Sequence, residues 1–328
     1  MSGILVTGGA GYIASHVVKE LLHRGHLPIV LDNLQTGHRK AVKDAAFVQA
    51  DLADSDRVRE VFRSFPIQSV MHFAGDCIVG ESVLKPLKYF NNNIKYALQL
   101  VEIMCLFNVD KIVFSSSAAV YGEPRKIPIP EEHPCAPTNP YGEAKLIFER
   151  ILEGFHRSER LDYISLRYFN AAGADPSGAL GEDHSPETHL IPVGLAAALN
   201  ATPVPVYGTD YETTDGTCVR DYIHVTDLAQ AHILALEKLE KGGDSDIYNL
   251  GNGSGYSVRE VIEAIKRVTG RNISTVESKR RAGDPARLVA SSEKIRMALG
   301  WEPQYPDLEA IIETAWEWHR NHPKGYQD

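Results

Sequence analysis

The chain has 328 residues, 43% hydrophobic and 23% charged, close to the averages of folded domains, so disorder, collagen-like repeats and a coiled coil are excluded. Its 34 basic and 43 acidic residues leave a formal charge of −9, so no global positive field exists to hold nucleic acid or an anionic membrane, and any anionic ligand must be held by local groups. The length suits two domains or one large α/β unit with an added lobe.

The first half alternates short β-branched runs, at residues 4–6, 29–31, 47–49, 70–73, 112–114 and 163–167, with longer amphipathic stretches. Such alternation predicts βαβ units and a doubly wound parallel sheet, the Rossmann arrangement. One helix is well specified: Ala144, Ile147, Phe148, Ile151, Leu152 and Phe155 recur at i, i+3, i+4 spacing, and Glu143, Glu149, Arg150 and Glu153 are assigned to its polar side. Residues 173–186, rich in Gly, Pro, Asp and Ser, read as a connection out of the sheet. This places a first domain over 1–172 and a smaller mixed α/β lobe over 173–328, with some C-terminal segments free to return to the first domain.

Residues 190–199, the most continuous small and apolar stretch, are half the length needed to cross a bilayer, and the chain enters its first strand with no charged leader. A cytoplasmic location is therefore expected. Cys77, Cys105, Cys135 and Cys218 lie far apart, without CxxC spacing, and the 13 histidines show no HExxH; no disulfide framework and no metal site are expected, and the cysteines are read as reduced, buried thiols. His224, inside an apolar strand, is read as structural.

Directly after the first strand comes Gly8-Gly9-Ala10-Gly11-Tyr12-Ile13-Ala14, leading into a helical stretch. Gly8 and Gly11 allow a tight turn and close approach of backbone to a pyrophosphate. Tyr12 and Ile13 open the helix, whose N-terminus favours anions, and Ala14 lets helix and strand pack closely. Asp32, at the end of the second strand, suits the adenosine ribose diol, and Asn33 rather than Arg follows it, so NAD is expected rather than NADP. Tyr141 and Lys145 are one helical turn apart on one face. An ammonium and a cationic nicotinamide beside the phenol would favour its phenolate, a proton-transfer catalyst. Ser115, Ser116 and Ser117 follow the run 112–114 at the predicted C-terminal sheet edge, where doubly wound folds bind ligands.

These residues, with His72-Phe73-Ala74-Gly75, Val79-Gly80-Glu81-Ser82, Asn139-Pro140-Tyr141-Gly142, Leu166-Arg167-Tyr168-Phe169-Asn170 and Val219-Arg220-Asp221-Tyr222-Ile223-His224-Val225, resemble the extended short-chain dehydrogenase/reductases over nearly the whole chain. Within them the resemblance is strongest to the branch that inverts C4 of a UDP-hexose. The resemblance implies interconversion of UDP-galactose and UDP-glucose on tightly bound NAD, through a transient 4-keto sugar, by a homodimer. It makes Tyr141 the base, Ser117 the contact to the sugar hydroxyl and Lys145 the orienter of the nicotinamide ribose. Asp51 and Leu52 are placed beside the adenine, and Asn33, Phe73, Ala74, Asn92 and Tyr168 at further cofactor positions. Arg220 and Arg281 are implied for the diphosphate, Asp284 for the uridine ribose, and Asn170, His189, Leu190, Tyr207 and Leu288 for the rest of the substrate.

Two positions depart from the pattern. Asp76-Cys77-Ile78 stands where the family commonly has a lysine, and Ala119 replaces a common threonine. Dehydrating relatives carry an acidic pair where this chain has Ala118 and Ala119, which leaves oxidation and reduction at one carbon as the chemistry equipped. The open alternatives are a 4-epimerase of UDP-N-acetylhexosamine, UDP-glucuronate or UDP-xylose, and a non-catalytic NAD sensor. Retention of Ser117, Tyr141 and Lys145 argues against the sensor. Leu98, Val101 and Met104 suit either a dimer helix or the core.

Overall fold

A computed structural model describes residues 3–281 and 283–327. Its contacts divide the chain into two units: residues through Gly122 with Pro134–Arg167 and Ala229–Tyr248, and Glu123–His133 with Tyr168–Leu228 and Asn249 onward. Residues 168–172 thus group with the second unit, and 229–248 return to the first.

The first unit is built on β1 (Gly3–Thr7), β2 (Leu27–Asp32), β3 (Ala46–Gln49), β4 (Ile67–His72), β5 (Lys111–Ser117) and β6 (Asp162–Tyr168). Together with the strand Asp246–Leu250 these form a seven-stranded sheet in the order Asp246–Leu250, β6, β5, β4, β1, β2, β3. The pairs β1–β2, β1–β4, β2–β3 and β4–β5 are all parallel. Ile4, Leu5 and Val6 are fully buried, as a strand covered by helices on both faces requires. On one flank Leu5, Ile29 and Val70 from the strands pack with Val58, Leu100, Val101, Met104 and Phe148 from the helices. The chain builds outward from β1 in one direction through β2 and β3 and in the other through β4 and β5, so the loops after β1 and β4 flank the point where strand order reverses.

In the second unit the strand Val219–His224 pairs antiparallel with Gly255–Ser257 and parallel with both Arg287–Leu288 and Asn170–Ala172. The helices Leu190–Asn200, Val258–Thr269 and Leu308–Asn321 share a separate core containing Leu195, Ile265 and Ile312. Val258–Thr269 is delimited by local chemistry: Ser257 and Glu260 form a capping box, and Gly270 closes the helix in a left-handed conformation.

Several expectations need correction. β5 runs through Ser117, so the serines belong to the strand instead of following it, and β4 stops at His72, leaving Phe73 in the loop. The strand Asp246–Leu250 was not foreseen, because Asp246 and Asn249 interrupt its apolar pattern. Only Cys218 is buried; Cys105 and Cys135 are half-buried and Cys77 is exposed, though all four are free thiols. Val101 and Met104 are fully buried core residues of the helix Tyr96–Leu106 and present no surface. Among the described residues no helix is long and apolar enough to cross a membrane.

Candidate active site

Beyond β1 the backbone turns at Gly8 with φ +67°. A Cβ there would lie 2.6 Å from the Ala74 nitrogen, so only glycine lets this turn close on the loop after β4. The amides of Phe73 and Ala74 both donate to the Thr7 carbonyl at 3.0 Å, fixing that approach. Gly11 is the N-cap of the helix Tyr12–His23 and brings no capping side chain, so Tyr12 and Ile13 form the first turn at the positive end of the helix dipole. Asp32 ends β2 almost completely buried. One carboxylate oxygen accepts from the Ala10 amide at 2.9 Å and the other from Leu34 at 2.8 Å. Burial raises its pKa against the pull of these two amides, and each oxygen keeps a second lone pair for a ribose hydroxyl. Asn33 donates to Asp51 at 2.8 Å, and the Leu52 carbonyl accepts from Gln99 at 2.6 Å, so the adenine-side positions are braced from two elements. A Cβ-free turn, a helix N-terminus and a buried carboxylate in this order fit NAD.

Asn92 lies in the π-helical stretch Asn91–Lys95, a distortion common at functional positions. Its amide donates to Asp76 at 2.9 Å, and Asp76 also holds Lys88 at 3.0 Å. The loop that lacks the family's lysine is therefore tied down by Asp76, and its local cation is Lys88, which Glu81 also holds at 2.9 Å.

Tyr141 and Lys145 occupy the first turns of the helix Pro140–Arg157, whose start is fixed by Asn139 accepting from the Gly142 amide at 2.9 Å and by Pro140 in the first turn. Lys145 is 6% exposed; its Nζ donates to the Ser115 carbonyl at 2.7 Å and stands 4.9 Å from the Phe114 ring centre and 5.8 Å from that of Tyr141. Burial lowers its pKa to about 8, against the raising effect of Cys77 and Glu149. Burial also raises the Tyr141 phenol, Cys77 adds to this, and a hydrogen bond from Ser117 pulls it down. These residues alone therefore hold the phenol protonated. The Lys145 ammonium, expected to favour the phenolate, spends its nearest contact on Ser115, so a further positive charge beside the ring is required. Of the three serines, Ser117 faces the phenol, while Ser116 donates to Glu149 at 2.5 Å.

Glu149, assigned by pattern to the polar side, is instead 2% exposed. It holds Arg167 of β6 through two contacts, at 2.9 and 2.5 Å, and Arg167 also reaches the Tyr121 hydroxyl at 3.0 Å. The signal was present: Tyr141, Lys145 and Glu149 are spaced i, i+4, i+8, a polar stripe along one face. This buried pair ties the helix carrying the tyrosine to β5 and β6.

In the second unit, Leu288 is in register with Arg220, and Asn170 with Tyr222 two residues further along the same strand. Parallel partners share a face and alternate residues point the same way, so Arg220, Leu288 and Asn170 are brought to one face of one sheet. Arg220 is ion-paired with Asp284 and donates to the Pro285 carbonyl at 2.8 Å; it does not stand apart as a lone diphosphate ligand. The exposed Arg281 guanidinium lies over the Tyr207 ring at 4.2 Å. Tyr168 is nearly buried at the end of β6, where β6 passes into the second unit. Leu190 begins the helix that His189 caps, but the His189 ring is turned toward Glu182 and Glu187, at 2.6 and 3.3 Å. His224 is buried and hydrogen-bonded between Thr226 and Thr314 at 2.7 and 2.9 Å.

Comparison with known proteins agrees with this arrangement. The sequence profile of the NAD dependent epimerase/dehydratase family matches residues 4–251. A UDP-glucose 4-epimerase of Halalkalibacterium halodurans is 54% identical over 98% of this chain and 97% of its own. A crystal structure of a UDP-glucose 4-epimerase superposes with a TM-score of 0.96 at 52% identity, covering all of both chains. That of a UDP-glucose 4-epimerase from Bifidobacterium longum in complex with NAD+ and UDP does so at 0.95 and 40% identity, over 99% of this chain and 100% of its own. With the nucleotide turn, the serine–tyrosine–lysine set and the sheet order all in place, the chain belongs to the NAD dependent epimerase/dehydratase family.

Proposed function

We propose that this chain is an NAD-containing isomerase that interconverts UDP-galactose and UDP-glucose by inversion at C4. What carries the proposal is Ser117 set beside the Tyr141 phenol at the end of β5, with Lys145 one turn along the helix. NAD held at the turn after β1 supplies the acceptor, and later the donor, of the C4 hydride. Tyr141 takes the 4′-hydroxyl proton as that carbon is oxidised and returns it on reduction, while Ser117 hydrogen-bonds the same oxygen. Ala118 and Ala119 follow Ser117 in a short 3₁₀ turn and bring no second acid or base, so loss of water is not catalysed and only the oxidation state at C4 changes. Arg220 and Arg281 hold the diphosphate, about which the 4-keto sugar turns to offer its other face. Oxidation and reduction cancel, so the cofactor stays bound and no net redox change occurs. Incubating the pure chain with UDP-galactose and no added nicotinamide tests this: UDP-glucose accumulates without NADH, and sustained stoichiometric NADH release contradicts it.

A broader substrate range is favoured by Leu288, which shares a strand register with Arg220 and is smaller than an aromatic residue. UDP-N-acetylhexosamines are therefore accepted more weakly than UDP-hexoses. The assembly is a homodimer, a reading supported by Leu84 and Leu87, 82% and 70% exposed on the neighbouring helices Val79–Leu84 and Pro86–Phe90. The location is cytoplasmic, a reading supported by four free cysteines.

A further inference from the structure

Ahead of the helix Leu190–Asn200, residues 182–189 carry the spacing Glu-x-His-x-x-Glu-x-His. It matches no helical metal motif, but the loop folds the four side chains onto one another, with one donor atom from each within 4.8 Å of all the others. From this convergence we infer that Glu182, His184, Glu187 and His189 bind one divalent transition-metal ion of the zinc class.

Three of the four nitrogen–oxygen distances are close to those such an ion sets, and the fourth is shorter. Two bonds of about 2.0 to 2.1 Å at the tetrahedral angle separate their donor atoms by about 3.3 Å. His184 Nδ1 lies 3.2 Å from Glu182 Oε1 and 3.6 Å from Glu187 Oε2, and His189 Nδ1 lies 2.6 Å from Glu182 Oε1 and 3.3 Å from Glu187 Oε1. A second observation concerns Glu182 alone. It is only 4% exposed, and its Oε1 accepts no hydrogen bond despite the two imidazole nitrogens beside it. A buried carboxylate oxygen left so is costly unless a cation meets it.

The surroundings support the same assignment. Glu187 Oε1 accepts from the amides of Thr188 and His189 at 2.7 and 2.8 Å, which orients this carboxylate as the outer shell of metal sites usually does. Two imidazoles and two carboxylates suit zinc or cobalt and disfavour magnesium and calcium, which prefer oxygen alone. The two carboxylates also balance the dication. The competing occupant is the proton: burial opposes it, but Glu182 and Glu187 raise His184 to about 10 and His189 well above its ordinary value, giving a compact cluster of ion pairs. A titration separates the two. Bound metal would fasten the loop to the start of the helix at Leu190.

The test uses the untagged full-length chain, dialysed against a chelator and titrated with zinc chloride by calorimetry and with cobalt(II) by visible absorption. The expected result is one zinc per chain with micromolar or tighter affinity, the intense absorption of tetrahedral cobalt, and at least about a hundredfold weaker binding in both His184→Ala and Glu187→Gln, each shown folded by circular dichroism. Absence of saturable zinc binding in the parent overturns the assignment whatever the variants do. Stoichiometric binding that both variants retain overturns it equally, since the ion then lies elsewhere.

Discussion

Replacing Lys145 by methionine is expected to stabilise the fold while destroying its chemistry. Lys145 is 6% exposed, and its pKa falls from 10.5 to about 8, chiefly through burial. That fall corresponds to about 3 kcal/mol of cost for holding the charged form in the folded chain. Methionine removes this cost but loses the hydrogen bond to the Ser115 carbonyl, 2.7 Å long, worth about 1 kcal/mol. The net gain is about 2 kcal/mol near neutral pH. The pH dependence follows from proton uptake: between about 8 and 10.5 the folded chain has lost the lysine proton and the unfolded chain retains it, so unfolding binds a proton and the parent gains stability as pH rises. The advantage of Lys145→Met is therefore full below about pH 8 and disappears by about 10.5. Urea denaturation at several pH values, on protein stripped of nucleotide because bound cofactor adds its own stability, reads this as a higher midpoint for the variant near neutral pH that falls to the parent's and then slightly below it in alkali, where only the lost hydrogen bond remains. A variant no more stable than the parent at neutral pH, or a difference independent of pH, would show that the buried Lys145 charge carries no such cost.

Tyr141→Phe should lower kcat by at least about a hundredfold, the usual scale for a proton-transfer group, while UDP binding followed by calorimetry persists; activity within a few fold of the parent removes Tyr141 from the role. Glu149→Gln leaves Arg167 buried without its counter-charge and should cost about 3 to 5 kcal/mol, part of which Arg167→Met restores in the double variant; simple additivity of the two losses would show that the pair is not coupled. At Leu288, the Tyr and Cys variants should shift kcat/KM for UDP-N-acetylgalactosamine against UDP-galactose in opposite directions, over a range of about ten- to a hundredfold, and an unchanged ratio removes Leu288 as a gate.

What the sequence made legible was whatever depends on local pattern. The turn from Gly8 to Ala14 could be placed because its strand, glycine spacing and helix are contiguous, and the register of Tyr141 and Lys145 because 3.6 residues per turn leaves no choice of face. The resemblance then reached residues far apart in the chain, such as Arg220 and Leu288, which turn out to be strand partners. Properties set by tertiary neighbours escaped. Glu149 looks like a surface residue until β6 brings Arg167 against it, and a buried carboxylate is not visible in a helix pattern whose logic places charge outward. Asp76 gave no hint that it would anchor Asn92, and the pairing of Arg220 with Asp284 joins residues 64 apart in the sequence. The donor spacing in loop 182–189 has meaning only once the fold has brought the four side chains together.

The proposed reaction removes a hydride from C4 and returns the same hydride to the opposite face of the same carbon. UDP-galactose carrying deuterium at C4 tests it directly, with the product examined by mass spectrometry and proton NMR. The expected product is UDP-glucose that keeps the full deuterium label at C4, formed without NADH release. Loss of the label to solvent hydrogen, or to free reduced cofactor, would contradict it.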